Sequence, residues 1–362
     1  MASLVFSTGS MALADDPVDP NLPDLTALPC TPLPGLSTQL VAVDGTVLAL
    51  VSDVTDVLTS TLKGLFPDAG TILSFQLPDG STTELTYPPS NFQPATASVD
   101  ALTRFGFDPP DDPDQLAAWR EKFANYSGTE MSIPCIKPSI HHGLVDSGNW
   151  AGVVAKGYSN FSYIYDDQKI PNYDASTCGT AVASAWLGLG GVGSGHGLLQ
   201  QGYDSDHSMG NSADLWWEAI TGAGHDNGSV YIKQNVPQGH LISQWMKYTP
   251  STHTTTFHWY DSTTNVQYPS ATFTSGSFNG SSYYSGSSAE WISERLGSYP
   301  VRKHTYQRFT SAGVGHGGTF ADMGTYDRDL WRIKNASNQN IVDANGGPTS
   351  NTVVDMYWRR CS

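Results

Sequence analysis

The sequence predicts an all-β protein, an antiparallel sandwich or barrel, with a small α+β region ahead of it. After Ser147 come short alternating runs such as NWAGVVA, FSYIYDD, GSVYIKQNV, HLISQWMKYT and TTTFHWYD, parted by Gly, Asn, Ser and Pro. Such spacing is the pattern of antiparallel strands with one face on a core and the other wet. Composition points the same way, since 36 Gly, 22 Pro and only 14% charged residues favour strands and turns and give the look of an exported protein. A chain of 362 residues has room for one large β domain plus a smaller unit.

In chain order, residues 1–15 form a signal-like or disordered start: MASLVFSTGSMALADD ends a weakly apolar stretch in the small-x-small triplet Ala12-Leu13-Ala14. No run of about 18 apolar residues follows, so no membrane span is expected. Residues 16–140 read as a prosegment or an accessory domain. A Pro/Asp-rich leader gives way to apolar segments whose turns, Val43-Asp44-Gly45 and Pro78-Asp79-Gly80, mark hairpins. DPDQLAAWREKFANYSG then predicts a helix, with Asp112 as N-cap, Pro113 in the first turn and Leu116, Trp119, Arg120 and Phe123 at helical spacing before Gly128. The run KPSIHHGLVDSG is an accessible linker, expected to be cut in acid, where charging of His141 and His142 would loosen its contacts. Residues 141–362 form the β domain, and its tail after about residue 326 reads as further strands without chemistry.

The net charge of −16 excludes a nucleic-acid partner and an anionic membrane, because nothing would neutralise their phosphates. In acid, self-repulsion stays limited, since only 18 Lys and Arg and 10 His can carry positive charge. The four cysteines contain no C-x-x-C pair. Of three possible disulfide pairings, Cys30–Cys135 with Cys178–Cys361 keeps each bond within one region. No histidine spacing suggests a metal site, and no metal or cofactor is expected.

AEWISE, residues 289–294, places two acids four apart in a charge-poor chain. On a strand Glu290, Ile292 and Glu294 share a face while Trp291 and Ser293 take the other, and the two acids lie about 13 Å apart. Together with SGNWAG at 147–152, AWLGLGG at 185–191, LLQQG at 198–202 and ADLWWE at 213–218, this segment resembles the ordered motifs of the glutamic peptidases, the eqolisins. The resemblance covers about half of the chain. It implies a two-sheet β-sandwich of the jelly-roll or concanavalin-like kind whose concave face holds a Gln/Glu dyad and cleaves peptide bonds in acid. It puts the glutamine on Gln200 and the catalytic glutamate, taken as the second acid of its motif, on Glu294. Trp150 and Trp186 would line the cleft, with Asp214, Glu218 and Glu290 supporting it and Asp204 nearby.

The chemistry suits those residue types. A carboxylate can take a proton from water and return it to the leaving amine, while a carboxamide can orient the water and donate to the oxyanion without changing charge in acid. The expected protein is a secreted, monomeric endopeptidase acting on polypeptides and insensitive to pepstatin, since D-[TS]-G is absent. One departure is Leu189-Gly190-Gly191, where the family commonly has an aspartate, and the glycine-rich loop after it lets His196 approach the cleft. Two rivals are a β-glucanase, weakened by Ile292 standing where a third acid belongs, and a non-catalytic carbohydrate-binding sandwich.

Overall fold

Strand alternation sorts the apolar residues of this chain into two faces, and the fold follows from where each face is buried. The structure, a computed structural model, describes residues 29–52, 68–110, 113–137, 148–174, 176–193, 195–297, 299–345 and 351–362. Two large sheets, antiparallel apart from brief parallel contacts, pack as a sandwich. The first has nine strands in the order Thr31–Pro32, Cys135–Lys137, Ser229–Pro237, Ser212–Ile220, Leu198–Asp206, Val182–Gly190, Ala289–Glu294, Trp150–Lys156 and Asp327–Trp331. The second runs through Gln307–His316, Phe161–Lys169, Leu241–Thr249, Thr254–Asp261 and Ser270–Thr274. Ala185, Leu187, Leu199, Tyr203, Trp217 and Trp291 of the first sheet meet Ile164, Met246, Phe257 and Phe273 of the second in one core. Trp217 stacks on Phe257 at 4.8 Å.

The alternate residues of the same strands were expected to face water, and they do not. Val182–Gly190 and Ala289–Glu294 are buried at every position, because Trp150, Val154, Trp186, Leu198, Trp216, Ile220, Tyr231 and Ile292 make a second apolar cluster on the far face of the first sheet. Polar groups on that face therefore sit in a dry, low-dielectric setting, where unpaired ones are costly.

Ahead of the β domain, both predicted hairpins form. Gly45 and Gly80 have φ of 95° and 86°, and the Asp44 and Asp79 carboxylates accept the N–H groups of Thr46 and Ser81. The predicted helix spans Pro113–Lys122, with Asp112 outside the described residues. Its Trp119 and the following Phe123 pack on Phe107, Trp245 and Tyr260, and losing the buried Phe123 side chain would cost about 3–5 kcal/mol. A second helix, Val99–Arg104, was not anticipated, although Ser98 caps it by accepting the Ala101 N–H. Both disulfides match the preferred pairing, Cys30–Cys135 and Cys178–Cys361.

Residues before 138 are hydrogen-bonded into both sheets of the β domain. Thr82–Tyr87 pairs with Ser270–Thr274, and Cys135–Lys137 pairs with Ser229–Pro237. Buried Asp108 meets His258 at 3.2 Å and Lys247 at 3.6 Å. The expected boundary near residue 140, with His141 and His142, lies outside the described residues. Cutting the chain between residues 138 and 147 should therefore leave the two fragments associated, co-eluting in size-exclusion chromatography without denaturant; separate peaks would mean that strand pairing does not hold them.

Candidate active site

The register of the first sheet arranges its far face in rows. One row reads Trp150, Glu294, Ser184, Asp204, Asp214; the next Gly152, Ile292, Trp186, Gly202, Trp216, Tyr231; the third Val154, Glu290, Gly188, Gln200, Glu218. Gln200 and Glu290 thus stand two strands apart in one row, about 10 Å between backbones, with only a glycine between them. Gln200 and Glu294 are two strands and four residues apart, about 16 Å. The register brings Gln200 together with Glu290, and it does not do so with Glu294.

Side-chain contacts follow the same division. Glu294 is held at both oxygens, by the Trp186 indole N–H at 2.8 Å and the Asn149 amide at 3.1 Å. Glu290 is fully buried; the Ser288 hydroxyl lies close enough to act on its carboxyl, but neither oxygen makes a well-formed hydrogen bond among the described residues. Burial pushes its carboxyl well above the usual 4.5. Its Oε2 leans over Gly188, only 3.2 Å from where a Cβ would stand there. Gln200 donates through Nε2 to Glu218 Oε2 at 2.5 Å, and Glu218 also accepts from Ser229 Oγ at 3.1 Å. These bonds fix the carboxamide with its other end, Oε1, unpaired. Among the described residues, the Glu290 oxygens and Gln200 Oε1, on the two side chains flanking Gly188, thus lack well-formed hydrogen bonds.

The other expected residues lie around this pair. Trp150 meets Trp186 edge to face at 4.9 Å, and on its other side stacks on Trp331 at 5.7 Å. Asp214 binds Lys137 Nζ at 3.3 Å and the Asn235 N–H at 2.8 Å, and its carboxyl is raised by burial, which outweighs the lysine. Asp204 accepts from the Tyr231 hydroxyl at 3.0 Å. His196 is tied to Val192 O of its own loop and to Ser287 Oγ, just ahead of the strand Ala289–Glu294. Sequence reading missed Asn149, Ser229, Tyr231 and Trp331. For Trp331 the signal was present, an aromatic in a run of strand-forming residues, but nothing local says that its strand joins the edge of this sheet.

Burial of Glu290 has a consequence for stability. Below the ordinary value of 4.5 the carboxyl is neutral in both folded and unfolded chains. As pH rises from there through the raised folded value, the unfolded chain sheds its proton first and the folded state loses stability. Glu290→Gln should therefore raise the melting temperature at pH 7 by several degrees, and the gain should vanish below about pH 4.5. Thermal melts of variant and wild type at matched pH isolate this group from buried His304, which burial pulls down to about 3 and whose stability is lost in the opposite direction, as pH falls.

A two-sheet antiparallel β-sandwich bearing these ordered motifs is a peptidase scaffold of the glutamic class. The sequence pattern of the peptidase A4 family matches residues 148–356, and the chain belongs to that family, the eqolisins, as a glutamic endopeptidase. Among solved structures, scytalido-glutamic peptidase with a peptide-based transition state analog is 21% identical at a TM-score of 0.48, the alignment covering 59% of this chain and 98% of that one. SCP-B, an eqolisin in complex with the tripeptide Ala-Ile-His, is 20% identical at 0.46 with the same coverage. No curated protein sequence matches the chain.

Proposed function

We propose that the protein is a secreted, monomeric endopeptidase that hydrolyses polypeptides in acid through Gln200 and Glu290. What carries this reading is the row Glu290, Gly188, Gln200, in which a glycine clears the space between two side chains whose acceptors lack well-formed hydrogen bonds among the described residues. The expected pairing of Gln200 with Glu294 is replaced on the same ground, because both Glu294 oxygens are engaged and its row is another one.

In the minor fraction of molecules whose Glu290 is ionised in acid, since burial raises its carboxyl, that carboxylate and Gln200 Oε1 accept the two hydrogens of a water and turn its oxygen toward the scissile carbonyl. As the O–C bond forms, the proton passes to Glu290 and the carbonyl oxygen gains charge, which the second Nε2 hydrogen of Gln200 stabilises. Protonated Glu290 then gives that proton to the amide nitrogen, the C–N bond breaks, and the carboxylate is restored. A carboxyl raised by its dry surroundings serves both steps, being a stronger base when ionised and still able to hold the proton until the amine leaves.

Hydrolysis of denatured casein at pH 3–5, resistant to pepstatin and with no release of sugar from β-glucan, is the expected result. Gln200→Ala should lower kcat by about 10²–10³. Cleavage of β-glucan in place of casein would sink the proposal.

A further inference from the structure

The far side of the second sheet carries a groove that the peptide chemistry does not use. Its floor is a run of aromatic rings. Tyr165 stands opposite Trp245 and Tyr163 opposite Lys247, with side chains on the same face. On the neighbouring strand Gly313 and Gly315 sit beside these tyrosines, and Phe320 folds back over the two glycines, its ring 5.5 Å from Tyr163 and 5.2 Å from Tyr165. A side chain at Gly313 would collide with both Tyr165 and Phe320, at 2.6 and 2.7 Å, so glycine there makes room for the ring. Trp119 and Phe123, on and just after the helix Pro113–Lys122, form the opposite wall. The half-open chamber measures about 260 Å³ and adjoins a second of about 470 Å³ that shares Tyr163 and Phe320. Together they have the size of a small-molecule site, about 300–1,000 Å³.

The chemistry of the walls narrows the ligand. Lys122 is paired with Asp167 at 2.8 Å and Lys247 with Asp108 at 3.6 Å, so the cations at the groove are already neutralised and an anionic ligand is not called for. Of the two other acids in the lining, Asp166 is buried with its carboxyl raised by that burial, and Asp322 is an exposed acceptor for hydroxyl groups. The floor is the face of a sheet whose backbone groups are spent in the ladder, so an extended peptide finds no strand edge to pair with. What remains on offer is ring faces and side-chain tips. Among the latter are the polar ends of the half-buried Tyr165 and the exposed Asp322, both in the lining of the chamber.

We propose that this groove binds a neutral pyranose chain, whose C–H faces stack on the rings and whose hydroxyls meet the tyrosine hydroxyls and the Asp322 carboxyl. The site would hold the peptidase on glycan-bearing material while the opposite face of the molecule cleaves protein. It does not depend on which glutamate is catalytic.

Calorimetric titration of the full chain with cellohexaose, chitohexaose and mannohexaose tests it. Saturable binding of at least one hexaose is expected, weakened about tenfold by Phe320→Ala and by Trp119→Ala. Tyr165→Phe, which removes only a hydroxyl and keeps the packing, should weaken it more mildly, and cleavage of a short unglycosylated peptide should be unchanged in all three. Absence of saturable binding to all three sugars overturns the proposal. So does affinity that is unchanged in the three variants, or a groove that takes a proline-rich peptide and no sugar.

Discussion

Glu290→Gln is expected to leave a folded protein with essentially no peptidase activity, whereas Glu294→Gln keeps a measurable rate. A glutamine at 290 preserves shape but can neither take the proton of the attacking water nor return it to the amine. Acid–base assistance is worth about 10²–10⁴, and this one group supplies it twice in a turnover, so the loss should sit at or beyond the upper end. At 294 the carboxylate holds the Trp186 indole N–H and the Asn149 amide. Glutamine retains one acceptor there, and the Trp186 ring, which borders Gly188, should shift only slightly, lowering kcat about tenfold with little change in pH profile. Steady-state kinetics at pH 3–6 on both variants, with near-ultraviolet circular dichroism to confirm folding, separates the two. An inactive Glu294→Gln beside an active Glu290→Gln would restore the pairing expected from the motifs and refute the one drawn from the register.

That reversal shows which parts of the site a sequence can carry. Gln200, Glu290, Glu294, Asp214 and Glu218 could all be picked out, because acids and amides stand out in a chain with 14% charged residues. Alternation correctly put Glu290 and Glu294 on one face, since a period of two is local. Which of them meets Gln200 is set by the register of Ala289–Glu294 against Val182–Gly190 and of that strand against Leu198–Asp206. The first is a relation between segments about a hundred residues apart, and a two-residue slip of one strand would change it while leaving every local pattern intact. The fold was legible for the same reason in reverse: strand runs and hairpin turns such as Pro78-Asp79-Gly80 are short-range signals. The dryness of both faces was not, because it arises only when Trp331, Tyr231 and Trp216, from three separate strands, close over one sheet.

Gly188 offers a test of the geometry that leaves every reacting group in place. Its backbone lies outside the left-handed region, so a larger residue meets no torsional strain, and the effect of a substitution comes from the side chain alone. A Cβ there would lie 2.8 Å from Trp186 Cζ3, 3.1 Å from Leu198 Cδ1 and 3.2 Å from Glu290 Oε2. The first distance forces the ring to move. The third puts a methyl group where the carboxyl must approach a water shared with Gln200. Overpacking of this kind costs about 1–3 kcal/mol of stability, which a chain of this size tolerates, whereas displacing a catalytic group by about 1 Å can cost 10² in rate. Gly188→Ala should therefore lower kcat by roughly 10²-fold with a smaller effect on KM, and Gly188→Val should be inactive though folded. Gly276→Ala, where a Cβ finds its nearest neighbour at 3.7 Å in His253, should match the wild type. A fully active Gly188→Val would mean that nothing passes between Glu290 and Gln200 across that glycine, and the proposed pair would have to be abandoned.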